Sequence, residues 1–237
     1  MKQYADLHIC PRLDDISNAR SMANVLSELE TRVVGLVVPP DQLTPTPPTV
    51  NTFMELGIDV AKRLNLTPRS REELLRNLRR YRSKYEIVAV DCGIASVSRV
   101  AVRDRRVDIV RFPKRGSGGG FRGNLARTCR AALEFNMSEL TEASGFEARL
   151  HRVRREIEIA AEASTVVIGS TNASSPCELR APRDVAAVLH VLGLSLEAAL
   201  NGVSVIPVAI VKENRLRMRE PDLEEGVRIV ERKAHNE

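Results

Sequence analysis

The chain has 237 residues, 36 Lys and Arg against 31 Asp and Glu, a net charge of +5, and 43% hydrophobic residues. Its apolar content is enough for a sizeable core, and its length suits one large α/β domain or two small ones. No apolar run is long enough to span a bilayer, and the absence of Trp with only 3% aromatics argues against reading single strands by base stacking.

In chain order, Tyr4–Cys10 reads as a first strand. Residues 14–30 follow as a helix with Ile16, Ala19, Ala23, Leu26 and Leu29 on one face. Val33–Val38 is a second strand, stopped by Pro39-Pro40, and residues 41–51, with Pro45, Pro47 and Pro48, read as an extended loop. Residues 52–57 suit a short helix and Val60–Leu66 a third strand. Ser70 with Glu73 is a capping-box signature. It opens a helix to Lys84 that faces Leu74, Leu75, Leu78 and Tyr81 inward and Arg76, Arg79, Arg80 and Arg82 outward. Glu86–Cys92 is a fourth strand, residues 97–103 a short helix, Val107–Phe112 a fifth strand and Ala131–Asn136 a sixth. A second capping box, Ser144 with Glu147, opens a long helix whose expected buried stripe is Phe146, Leu150, Val153, Ile157 and Ala161. Residues 165–169 form a seventh strand. Helices then start at Pro182 and close at Gly193, run over 195–201, and run over 205–219. Residues 221–237 read as a charged, flexible tail.

Strands alternating with helices, several of them apolar on both faces, predict a parallel sheet. The expected fold is an irregular TIM-like (β/α) barrel of about seven strands in a single domain spanning residues 1–220; an open doubly wound sheet is the alternative. The four cysteines (Cys10, Cys92, Cys129 and Cys177) are far apart, with no Cys-x-x-Cys pair, which suits a reducing compartment. The first residues lack the apolar core of a signal peptide, so the expected location is cytoplasmic, with no membrane contact.

Positive charge is concentrated. Between Lys62 and Arg130 stand 19 Lys and Arg against 6 Asp and Glu, whereas the rest of the chain is acidic. Arg supplies 30 of the 36 basic residues. A basic block of guanidinium groups suits a polyanion such as nucleic acid. The densest cluster is Arg103, Arg105 and Arg106, followed by Arg111, Lys114 and Arg115. A glycine-rich loop, residues 116–123, carries Gly118-x-Gly120-x-x-Gly123 beside Arg122. It follows the fifth strand rather than opening a first βαβ unit, so the dinucleotide-binding reading is weak and a phosphate-backbone contact or a plain surface loop remain open.

Asp6, His8 and Cys10 alternate on the first strand, and Asp91 ends the fourth. These are the candidate metal ligands. Their supply runs short: His151 and His190 fall within helices, His235 in the tail, and the sixth strand adds only Glu134. Asp6 and His8 are therefore expected to hydrogen-bond within the barrel mouth. No Gly-x-Ser-x-Gly elbow supports a Ser-His-Asp triad.

Several words resemble one family, the archaeal and eukaryotic ribonuclease P protein component 3. They are Tyr4-Ala5-Asp6-Leu7-His8, Arg69–Arg82 leading into Tyr85-Glu86-Ile87-Val88, Asp104-Arg105-Arg106-Val107-Asp108 before Arg111-Phe112-Pro113, Ala132-Leu133-Glu134-Phe135-Asn136, and Leu179-Arg180-Ala181-Pro182-Arg183-Asp184. The resemblance covers roughly residues 1–215. It implies an irregular barrel distantly related to the polymerase/histidinol-phosphatase metallohydrolases, with Cys10 where those relatives carry a second His. It also implies an RNA-binding subunit of the ribonucleoprotein that removes 5′ leaders from precursor tRNA. The Mg-dependent active site then belongs to the RNA, this chain holds no cofactor or metal, and the partners are ribonuclease P RNA, precursor tRNA and other protein subunits, notably a smaller one. The candidate RNA contacts are Arg76, Arg79, Arg80, Arg103, Arg105, Arg106, Arg111, Lys114, Arg115, Arg122, Arg180 and Arg183. A stand-alone metal-dependent phosphoesterase, built on Asp6, His8 and Asp91, is the alternative, and a sugar-phosphate enzyme using the glycine loop is a third reading that lacks an acid–base pair.

Overall fold

A computed structural model of the chain describes residues 3–40, 47–113, 120–141 and 145–219. The expected tail, most of the proline-rich loop, Lys114, Arg115 and Ser144 lie outside the described residues. The strands are β1 (Tyr4–Ile9), β2 (Thr31–Val37), β3 (Asp59–Leu66), β4 (Ile87–Asp91), β5 (Ile109–Arg111), β6 (Ala132–Asn136) and β7 (Val167–Ser170). The helices are α1 (Ile16–Glu28), α2 (Pro47–Met54), α3 (Arg71–Tyr81), α4 (Ala95–Ala101), α5 (Gly123–Ala126), α6 (Ser138–Thr141), α7 (Phe146–Glu162), α8 (Pro182–Val191), α9 (Leu196–Gly202) and α10 (Val205–Arg219).

The strands are parallel and ordered β1 to β7. They curl into a nearly closed barrel. Where the strands end, the Asn172 amide donates to the His8 carbonyl at 2.9 Å and the Cys10 amide to the Ala173 carbonyl at 2.7 Å. At the opposite end the Ala5 amide donates instead to Val203, between α9 and α10, at 3.0 Å. Both edges of the sheet are thereby covered. We call the end where strands finish the mouth and the end where they begin the foot.

Two cores follow from this wrapping. The larger lies between strands and outer helices, with Met22, Leu26, Leu36, Leu64, Leu74, Leu78 and Val88 buried. The smaller lies inside the barrel and is made of compact side chains: Ala5, Leu7, Val33, Ala61, Ala89, Ile109, Ala132 and Ile168. Inside a narrow seven-stranded barrel this part of the filling is by small and medium apolar side chains. Val208 and Val211 of α10 join this inner core, so the last helix plugs the barrel. At Gly35 a Cβ would stand 2.1 Å from the Leu7 carbonyl oxygen. The missing side chain lets β1 bulge inward there, at the irregularity between Asp6 and Ile9.

Several expectations shift. The proline-rich stretch is not extended throughout: Pro47 and Pro48 open α2, where a missing amide proton costs nothing. The Ser70 cap forms, with the Glu73 amide 3.1 Å from Ser70 Oγ, while Glu73 Oε2 reaches back past Ser70 to accept from the Arg69 amide at 2.8 Å. Ser144 of the second box lies outside the described residues, and the N-cap of α7 is Gly145 at φ 70°, a left-handed conformation that suits glycine. On α7 Val153 and Ile157 are buried as expected and Leu150 packs partly buried on the core, whereas Arg149 and Ala160 are buried, Phe146 is 45% exposed and Ala161 is exposed. Ile16 of α1 is exposed as well. The turns α5 and α6 are too short to carry a periodic signal.

Candidate functional site

The barrel mouth is polar to its floor. Arg63 of β3 and Glu134 of β6 face each other inside, both fully buried. The guanidinium fork meets the carboxylate with Nη1 2.6 Å from Oε1 and Nη2 2.6 Å from Oε2. Nη1 also donates to the bulged Leu7 carbonyl at 2.8 Å, and Nε to Asn65 Oδ1 at 2.8 Å. Thus the bulge permitted by Gly35 presents a carbonyl that Arg63 satisfies. Ser170 Oγ donates to Glu134 Oε1 at 2.8 Å. Burial would raise the Glu134 pKa, but the Arg63 charge and bonds outweigh it and hold the carboxyl well below its ordinary value.

His8 closes the network. Because Asn65 Oδ1 accepts from Arg63, Asn65 Nδ2 is the donor toward His8 Nε2 at 3.1 Å. Nδ1 stands 3.0 Å from Asn136 Oδ1 and 3.2 Å from Glu134 Oε2, two acceptors. The bonding pattern therefore defines a neutral imidazole with its proton on Nδ1. Burial, then the Arg63 charge, lowers its pKa to about 4. Arg111 Nη1 lies 3.4 Å from both ring nitrogens, against the ring. Its Nη2 pairs with Asp91 Oδ1 at 2.6 Å, and Thr67 Oγ1 donates to Asp91 Oδ2 at 2.9 Å.

Asp6 points elsewhere. Its carboxylate accepts from the Thr171 hydroxyl at 2.5 Å, the Thr171 amide at 3.2 Å and the His8 amide at 3.1 Å. Burial raises its pKa to about 6 despite those bonds. Cys10 turns toward Asn172, Sγ 3.7 Å from Oδ1, and burial pushes its thiol up to about 11. The candidate ligands therefore do not converge: Asp6 is spent on Thr171, both His8 nitrogens are engaged, and Arg111 stands between His8 and Asp91. Among the described residues no three His, Cys, Asp or Glu side chains gather as a metal site. The donor set does not fit a metal ion, because Arg63 neutralises Glu134, Arg111 neutralises Asp91 and Asp6 is taken up by Thr171. The hydrogen-bonding expected of Asp6 and His8 is present.

The predicted arginines do not form one surface. Arg76, Arg79 and Arg80 are exposed on α3, with Arg80 5.2 Å from the Tyr81 ring centroid. Arg82 is not on that outer face: it is half-buried, 3.2 Å from Asp108. Arg103 and Arg105 are exposed at the foot, between α4 and β5. Arg106 beside them forks onto Asp104, at 2.9 and 2.7 Å. Arg111, only a few residues on, is at the mouth, with its charge committed to Asp91. Arg122 is exposed at the start of α5. Arg180 donates to the Cys177 and Leu179 carbonyls, and Arg183 to the Tyr4 hydroxyl at 3.0 Å. Sequence reading missed Arg63 because a charge in an alternating strand reads as solvent-facing. The only signal was its place in a strand whose flanks are apolar.

Comparisons place this barrel. The family model described as RNase P subunit p30 matches residues 3–219. Ribonuclease P protein component 3 of Halorubrum lacusprofundi is 31% identical over 179 residues, 73% of each chain. The protein of that name from Methanococcoides burtonii is 27% identical over 165 residues, 67% of this chain and 68% of its own. A chain in the cryo-EM structure of archaeal ribonuclease P with mature tRNA shares the fold, with a TM-score of 0.76 at 22% identity over 97% of this chain and 99% of its own. An amidohydrolase shares the barrel more distantly, with a TM-score of 0.57 at 12% identity over 90% of this chain and 74% of its own. With the family match running from the first strand to the last helix, the chain belongs to the RNase P subunit p30 family.

Proposed function

We propose that this chain works as an RNA-binding protein subunit of ribonuclease P, the endoribonuclease that removes 5′ leaders from precursor tRNA. The observation that carries the reading is the family match over residues 3–219. The chemistry of the barrel agrees with it. Asp6, His8, Asp91 and Glu134, the acids and base described at the barrel mouth's centre, are each engaged by a neighbour, so none of these four is poised to activate water. Catalysis then belongs to Mg ions held by the RNA subunit, and this chain binds no metal of its own. Its work is to bind and stabilise ribonuclease P RNA together with other protein subunits, including a smaller one, while precursor tRNA is cleaved.

The test is recovery of the tagged chain from its own cells at moderate salt. The expected result is co-purification of ribonuclease P RNA, with small basic proteins, in an eluate that cleaves precursor tRNA. A chain recovered without RNA, carrying a stoichiometric metal and hydrolysing phosphoesters, would contradict it.

A further inference from the structure

We propose that the chain docks base-paired RNA on the foot of its barrel, at the end opposite the polar mouth; this rests on the RNA-binding reading and specifies its surface. The sheet order makes the turns entering β4, β5 and β6 neighbours at the foot. Those turns carry Lys84, Arg103, Arg127 and Arg130, all exposed. They are locked together: the Arg130 amide donates to the Val102 carbonyl at 2.7 Å, and Arg103 Nε to Thr128 Oγ1 at 3.2 Å. The chain's last helix adds a cation from far along the sequence. Asn214 Nδ2 of α10 donates to the Glu86 carbonyl at 2.8 Å, laying α10 beside this end, and Arg217, about one turn further along the same helix, is exposed.

Each acid of these turns is already paired with a neighbour other than Lys84, Arg103, Arg127 or Arg130. Asp104 holds Arg106, Asp108 holds Arg82 and the Val88 amide, and Glu86 holds Arg215 and the Lys62 amide. What faces solvent is an arc of positive charge on rigid turns. Adjacent strands in a sheet stand about 4.8 Å apart, so three turns spread the arc over about 10 Å before side-chain reach is added. Tyr85, the aromatic residue among the described residues of these three turns, is buried, so the turns themselves offer no ring on which an unpaired base could stack. A preorganised cationic arc without stacking platforms suits the sugar-phosphate backbone of a helix, read by shape.

The experiment measures binding of the full chain to a short RNA duplex, and to oligouridine of equal length, across a salt series. Variants are the foot triple Arg103→Gln/Arg130→Gln/Arg217→Gln, the same triple to Lys, and a mouth-side pair Arg12→Gln/Arg69→Gln, each checked by circular dichroism. Wild type should prefer the duplex. The Gln triple should lose about 2–3 from the magnitude of the slope of log K against log[salt], taking about 0.7–0.9 per phosphate contact. The Lys triple should keep most of the slope, and the mouth pair should match wild type. A Gln triple that binds duplex like wild type, or a chain that prefers oligouridine, overturns the inference while RNA binding itself stands. Wild type that binds neither probe overturns the RNA-binding reading with it.

Discussion

The Arg63–Glu134 pair is the most sensitive point of the fold, and Glu134→Gln is the perturbation that exposes it. The substitution keeps the shape but removes the charge that faces a fully buried guanidinium with two 2.6 Å bonds. The amide keeps one acceptor oxygen and turns its NH2 toward the fork. Arg63 retains the Leu7 carbonyl and Asn65, which solvate it only in part. Leaving one partner of a buried ion pair uncompensated costs about 3–5 kcal/mol, a large share of the roughly 5–15 kcal/mol that holds a domain together. Arg63→Met should cost a similar amount, by stranding the Glu134 carboxylate and the Leu7 carbonyl. The double variant Arg63→Met/Glu134→Leu strands neutral groups only, at about 1–3 kcal/mol each, and should cost clearly less than the two singles added. The assay is urea unfolding at pH 7 followed by far-ultraviolet circular dichroism, since the chain has no Trp. A cost below about 1 kcal/mol for Glu134→Gln, with singles that simply add, would refute a desolvated pair.

Acid titration separates Asp6 from His8. The folded-state pKa of His8 lies at about 4, below its unfolded value, so its contribution loses stability as pH falls from about 6.5 to about 4. Asp6, raised to about 6, gains stability as pH falls through about 6 toward 4, because the folded state takes up its proton first. The two oppose each other in that window. His8→Gln should therefore show a urea midpoint that rises on acidification relative to wild type, and Asp6→Asn one that falls; midpoints at pH 4.5 and 7 check both signs. Gly35→Ala forces a Cβ onto the Leu7 carbonyl and should cost about 3 kcal/mol or prevent soluble expression, read as a melting temperature. Ser70→Ala removes the bond to the Glu73 amide and should cost about 1 kcal/mol in the same melt.

The sheet was legible because its strands are marked by apolar runs between turn residues. The Ile87–Val90 run is buried on both faces, as a parallel strand requires. Helix α3 was legible from Ser70 and Glu73, whose bonds are local. Failures occur where a distant partner decides. Phe146 reads as core by spacing, yet at the first position of α7 it is 45% exposed, while Val153 and Ile157 further along the same stripe are buried. Arg63 and Glu134 lie 71 residues apart, and no local pattern announces that they meet. Alternation placed Asp6, His8 and Cys10 on one face, but the β1 bulge, permitted by Gly35 from the neighbouring strand, sends Asp6 to Thr171 and His8 to Glu134. The basic block was visible as composition. Its division between foot and mouth was not, since Arg106 and Arg111 are five residues apart in sequence and at opposite ends of β5.

The central claim is that this chain supports an RNA-based enzyme without performing the chemistry. The direct measurement is precursor tRNA cleavage at graded Mg concentrations by the cognate RNA with its other protein subunits, with and without this chain, beside the chain alone after nuclease treatment. The account predicts that adding the chain lowers the Mg needed by the assembly, and that the chain alone leaves precursor tRNA intact at every concentration. Metal-dependent 5′ processing by the chain freed of RNA would contradict it.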